Sequence, residues 1–108
     1  MNTNYRNQLI SLLCDISDAD EMTAALDIFL TQKEHEEVDK RLQIFHLLES
    51  QIAQRDIAKQ LGVGIATVTR GAKVLRTDSY QTLAAKLANS RQLQAAELDD
   101  NTNNVDVA

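Results

Sequence analysis

The chain predicts an all-α fold, and three observations carry that prediction. Apolar residues recur at three- and four-residue steps, the spacing that gathers them on one face of a helix. No stretch alternates apolar and polar residues long enough to make a useful strand, and no internal repeat is present. Proline is absent and aromatic residues make up only 4%, so the apolar content is mainly Leu, Ile, Ala and Val, a composition suited to packed helices. One hundred and eight residues fit one small domain with a thin core, and a second copy would help a chain with so few large aromatic side chains.

Six helices are expected. The first carries Tyr5, Leu9, Ile10, Leu12, Leu13 and Ile16 as one apolar stripe. Asp18 followed by Glu21 has N-cap spacing and opens a second helix with Met22, Ala25, Leu26, Phe29 and Leu30. Thr31-Gln32-Lys33-Glu34 is a capping box, in which the hydroxyl accepts from one backbone N–H and the carboxylate reaches back to another. It starts a long third helix over about 32–49, striped by Val38, Leu42, Phe45 and Leu48 and widened by Ile44 and Leu47. After a short connection at 50–53, residues 54–76 read as two short helices around a glycine turn. Asp78-Ser79-Tyr80-Gln81 has capping-box spacing again and opens a last helix with Leu83, Ala84, Leu87 and Ala88. The pattern decays beyond about Ser90, so the domain is expected over 1–94 and a disordered polar tail over 95–108.

Several function classes find no support. No run approaches the ~20 apolar residues of a membrane span, and residues 1–8 lack the apolar core of a secretory signal, so the cytoplasm is the expected compartment. The single cysteine, Cys14, lies in a helical pattern and reads as a small packed thiol. His35 and His46 stand eleven residues apart without a second pair, as expected of helix-surface residues rather than metal ligands. With no nucleophile–histidine spacing and no phosphate-cradling glycine loop, an enzyme is not expected.

The 54–76 stretch is different. It holds Arg55, Lys59, Arg70, Lys73 and Arg76 against one acid, Asp56, a local charge of +4 in a chain of −5. Gly62 supplies the positive φ that lets the first short helix turn at once. Ala58 is small where two helices would cross closely, and Ile57, Leu61, Val63 and Val68 are apolar pegs. The second short helix, about 65–76, opens with short side chains, which let a backbone approach base edges and phosphates in a major groove. An ordinary buried helical hairpin shares this spacing; the cationic charge favours a nucleic-acid surface.

The run Leu61-Gly62-Val63-Gly64-Ile65-Ala66-Thr67-Val68-Thr69-Arg70-Gly71, with Leu30-Thr31, Arg41-Leu42-Gln43-Ile44 and Gln54-Arg55, closely resembles the bacterial tryptophan repressor family. That family serves as a standard example of helix-turn-helix docking and water-mediated readout. The resemblance implies a six-helix intertwined homodimer with a helix-turn-helix DNA-binding unit. It implies double-stranded operator DNA as partner and L-tryptophan as a corepressor that wedges between the hairpin and the body. The regulated genes would be those of tryptophan biosynthesis.

The resemblance also carries residues over. Arg41 and Arg70 match two arginines that sandwich the indole, and a flat guanidinium stacks well on an aromatic face. Spacing alone allows Arg41 an i,i+4 ion pair with Glu37, and Arg70 a phosphate contact. Thr31 matches the pocket edge, and backbone carbonyls near Ile28 and Leu30 match acceptors for the ligand amino group. Gly71 leaves room for a ring or for a close helix contact, and costs ~1 kcal/mol relative to Ala in a helix interior. Val74 stands where some members place a serine, so it offers the ligand no side-chain hydrogen bond. The chain is one residue shorter than the family pattern between Arg41 and Arg55. A deletion in 50–53 keeps Arg41 in register, whereas one within the helix turns it by about 100° and puts Lys40 in its place. For DNA the matching positions are Gln54, Arg55, Gly64, Ile65, Ala66, Thr67, Thr69 and Arg76. Ala58 stands where some members place a lysine, and Lys59 partly replaces it.

Two other readings stay open at this level. One is a regulator on the same scaffold that answers to another small ligand or to none, which Val74 keeps alive. The other is a constitutive DNA-binding module of a recombination or replication-initiation protein, normally attached to a further domain.

Overall fold

A computed structural model describes residues 3–107, with the side chains of 3–94 and Ala96. It is helical throughout the described residues, in the order α1 (Thr3–Asp15), α2 (Ala19–Phe29), α3 (Gln32–Glu49), α4 (Gln54–Leu61), α5 (Ile65–Val74) and α6 (Asp78–Val107). The all-α class and the count of six agree with the sequence. The chain divides into two compact units, Met1–Asp39 and Lys40–Ala108.

In the first unit, local chemistry sets the helix starts. The Glu21 N–H donates to Asp18 Oδ1 at 2.8 Å, the N-cap expected for α2. The Thr31 capping box closes in both directions. The Glu34 N–H donates to Thr31 Oγ1 at 3.1 Å and the Thr31 N–H to Glu34 Oε1 at 2.9 Å. His35 Nε2 stands 3.3 Å from Asp27 Oδ1, an ion-pair distance without hydrogen-bond geometry. Ala25 is the buried residue of α2. α1 buries none, and its Tyr5, Leu9, Ile10 and Leu12 are exposed. α1 ends at Asp15, so Ile16, assigned to it from the sequence, lies just beyond.

The second unit is built around the C-terminal part of α3. Ile44, Ile57 and Val68 form its buried cluster, with Leu47, Leu48, Ala58, Leu61 and Val63 packed against it. These include every apolar peg expected of the hairpin. Two residues along from Ile44, about 200° around the helix, His46 is also buried, at 4% exposure. Its Nδ1 lies 3.1 Å from Gln94 Oε1, and Gln94 Nε2 donates to Gln43 Oε1 at 3.1 Å. α3 is thus covered on two faces, by the hairpin and by α6, and His46 is not the surface residue its sequence context implied. The Phe45 and Tyr80 rings meet edge to face at 5.5 Å on the α6 side.

Two details correct the sequence reading. The cap of α6 is Thr77, one residue earlier than expected: the Tyr80 N–H donates to Thr77 Oγ1 at 3.2 Å, and the Gln81 side chain reaches the Leu75 carbonyl instead. α5 stops at Val74, so Arg76 lies in the turn that follows, its N–H on the Lys73 carbonyl at 3.1 Å. The backbone of α6 is helical to Val107, through the segment 95–107. That segment contains neither Gly nor Pro to break a helix. The side chains of Ala95 and of 97–108 lie outside the described residues.

Candidate nucleic-acid interface and ligand site

α4 and α5 are joined by the three residues 62–64. Gly62 has φ +66°, the left-handed conformation a tight helix stop requires. The N–H groups of Gly62 and Val63 both return to the Ala58 carbonyl, closing α4. The hydrophobic side of α4 places Ile57 fully inside, and Val68 of α5 is equally enclosed, so the two helices share one core. What remains outside is the expected polar set. Arg55, Gly64, Ile65, Ala66, Thr69 and Arg76 are exposed, while Gln54 and Thr67 are half-buried.

The N-terminal ends of α4 and α5 differ from those of α2, α3 and α6. Asp18, Thr31 and Thr77 cap the latter three with side-chain oxygens. Ala53 and Gly64 give α4 and α5 no side-chain cap. The first N–H groups of both hairpin helices are therefore left for an external acceptor. Thr69 Oγ1 stands 2.9 Å from Gln54 Oε1 and 3.0 Å from the Ile65 carbonyl, tying the start of α4 to α5.

The residues matched to a ligand pocket fall in both units. Ile28, Leu30 and Thr31 belong to the first. Ile28 is exposed, Leu30 is the extended residue that ends α2, and Thr31 is engaged in its capping box. Glu34 is held below the usual glutamate pKa first by the Thr31 backbone N–H and then by its hydroxyl. Arg41, Arg70, Gly71 and Val74 belong to the second unit. A Cβ built on Gly71 would sit 2.7 Å from Ile44 Cγ2 and 3.8 Å from Leu48 Cδ1. Gly71 therefore has a packing reason: the α5 backbone rests directly on the Ile44 side chain of α3 here. Arg41 lies one turn before Ile44 on α3, and Arg70 adjoins Gly71 in sequence on α5.

Among the described residues Arg41 makes no ion pair with Glu37; the Asp27–His35 pair is the one recorded. Arg70 Nη2 donates to Thr67 Oγ1 at 3.2 Å, so its guanidinium lies back along α5. Val74 is half-exposed, and its carbonyl accepts both the Thr77 hydroxyl at 2.7 Å and the Thr77 N–H at 3.0 Å. α3 is one unbroken α-helix from Gln32 to Glu49, and it ends in a left-handed residue, Gln51, with φ +64°. The Gln51 N–H bonds to the Leu48 carbonyl and the Ile52 N–H to that of Leu47, the paired bonds of a Schellman stop. A compact connection at 50–53 thus needs no irregularity inside α3. Sequence reasoning missed Gln51 because a Gly or Asn is the usual signal there.

The comparisons agree with this architecture. The sequence model of the Trp repressor protein family matches residues 5–89. A protein named Trp operon repressor homolog from Xylella fastidiosa (strain M23) is 35% identical over 79 residues, which are 72% of this chain and 86% of that protein. A protein of the same name from Vibrio parahaemolyticus serotype O3:K6 is 36% identical over 78 residues, 69% of this chain and 76% of that protein. Another, from Aliivibrio fischeri (strain MJ11), is 35% identical over 72 residues, 66% of this chain and 67% of that protein. An all-helical chain with a compact helix-turn-helix, matched over most of its length by one family, belongs to the Trp repressor protein family, whose members are DNA-binding regulators and not enzymes.

Proposed function

We propose that the chain is a ligand-dependent transcriptional repressor, with L-tryptophan as corepressor, that binds a palindromic operator as a homodimer and regulates tryptophan biosynthesis genes. The observation that carries this reading is the α3–α5 crossing. Gly71 of α5 lies against Ile44 of α3, and α5 also offers its uncapped N-terminus and short side chains outward. Arg41, three residues before Ile44, and Arg70, next to Gly71, are the cations this reading assigns to the ligand. A flat ligand held by two guanidinium groups there would fix the angle of α5 on α3. A ligand that binds the DNA-competent angle better than other angles shifts the population toward it. The resemblance assigns Ile28, Leu30 and Thr31 to the ligand as well, and Gln54, Arg55, Gly64, Ile65, Ala66, Thr67, Thr69 and Arg76 to the operator-facing surface. The dimer is supported by α1, whose Tyr5, Leu9, Ile10 and Leu12 expose an apolar face that a second copy would cover.

Val74 favours one other reading, a regulator on this scaffold that answers to a different small ligand or to none. Its side chain offers no hydrogen bond where a ligand amino group would lie.

Calorimetric titration with L-tryptophan separates the two. Heat of binding supports the corepressor, and no heat at millimolar ligand contradicts it. Arg70→Ala lowers that affinity, whereas Arg55→Ala leaves it unchanged and weakens operator binding. Unchanged ligand affinity in Arg70→Ala would remove Arg70 from the pocket.

A further inference from the structure

Thr69 carries one hydroxyl proton and faces two acceptors. Gln54 Oε1 is 2.9 Å from its Oγ1 and the Ile65 carbonyl is 3.0 Å away. In an α-helix the carbonyl of residue 65 already receives the backbone N–H of residue 69. The Gln54 carbonyl oxygen is the acceptor the helix leaves unserved. A neutral glutamine amide has one acceptor end and one donor end. Whichever end meets Thr69, the opposite one faces away from α5.

We propose that Thr69 is a positioning residue for operator binding: its hydroxyl donates to Gln54 Oε1 and so turns the Gln54 Nε2 donor pair outward to a DNA phosphate oxygen. This rests on the DNA-binding reading above. Gln54 is the first residue of α4, in the most cationic stretch of an acidic chain, and is half-buried, so its amide is partly held by its surroundings. A phosphate oxygen only accepts hydrogen bonds, so a fixed outward donor suits it and a fixed outward acceptor repels it. Thr69, on the operator-facing side of α5, thus acts through Gln54, and it couples the start of α4 to the recognition helix α5. The contact carries no base information, so its loss weakens all duplexes alike.

The test is a double-mutant cycle, read by fluorescence anisotropy of a labelled palindromic duplex with saturating L-tryptophan. Circular dichroism melting checks that each variant is folded, which the exposure of Thr69 favours. Thr69→Val keeps the branched shape and removes the hydroxyl. It is expected to weaken binding by roughly two- to tenfold, the worth of one neutral hydrogen bond. Thr69→Ser restores the hydroxyl and is expected to bind like the parent. In a Gln54→Ala background Thr69→Val is expected to cost nothing more. Gln54→Glu keeps an acceptor for Thr69 but presents an anion outward, and is expected to bind more weakly than Gln54→Ala. An undiminished loss from Thr69→Val in the Gln54→Ala background would overturn the proposal by making Thr69 a direct contact, and so would no loss from Thr69→Val alone. A parent protein that binds no duplex overturns the DNA-binding reading together with this one; a parent that binds with uncoupled residues overturns this one only.

Discussion

Glu34 and Gln51 set the two ends of α3, and each states its physics in one side chain or one dihedral. The Glu34 carboxylate accepts from Thr31, which holds its pKa below the ordinary value. A carboxylate depressed in the fold stabilises it fully above the unfolded pKa of about 4.3, and the contribution is lost as pH falls through the lower folded value. Acid titration is therefore expected to loosen the Thr31 end of α3 only below the ordinary glutamate range. The Thr31 amide NMR shift should follow the Glu34 carboxyl shift; a Thr31 amide that titrates at the ordinary glutamate pKa would contradict the capping pair. Gln51 is an opposite case, a side chain in a conformation made for glycine. Gln51→Gly is expected to stabilise the protein by about 0.5–1 kcal/mol, because the left-handed penalty exceeds the extra chain entropy of glycine. A urea midpoint checks it, and a lower midpoint would mean that the Gln51 side chain contributes more than its backbone costs.

At the scale of the helix, the α3–α5 crossing is the decisive contact. Gly71→Ala gains ~1 kcal/mol of helix propensity but drives a methyl to 2.7 Å from Ile44 Cγ2. In a packed contact such overfilling costs about 1–3 kcal/mol, so the thermal midpoint is expected to fall, and a raised midpoint would show that Ile44 can give way. The helices themselves were legible in the sequence wherever their cause is local. Asp18 and the Thr31–Glu34 box sit three residues from the groups they bond, and Gly62 announces its own turn. The hairpin pegs were legible for the same reason. What failed was adjacent or distant choice. Thr77 and Asp78 are both good caps, and only the path of the chain after Val74 selects Thr77. His46 is polar on a helix, and nothing nearby reveals that Gln94, 48 residues on, covers it. The packing role of Gly71 likewise depends on Ile44, far back on α3, so the sequence alone could not choose between a ring and a helix contact.

Across the whole molecule, the positive charge is concentrated in one stretch. A local +4 sits on the hairpin of a chain whose total is −5, which leaves the rest at −9. Such a body would repel DNA everywhere except at the hairpin, and this orients an encounter. The exposed apolar face of α1 gives the expected dimer its material, and two copies would present two recognition helices to one palindrome. The central claim is that a small ligand decides when they engage. Fluorescence anisotropy of a labelled palindromic duplex, taken from upstream of tryptophan biosynthesis genes and titrated with protein in the presence and absence of L-tryptophan, tests it most directly. The account predicts tighter binding with the ligand by roughly 5- to 150-fold, the span of ordinary allosteric coupling; equal affinity in the two titrations would contradict it.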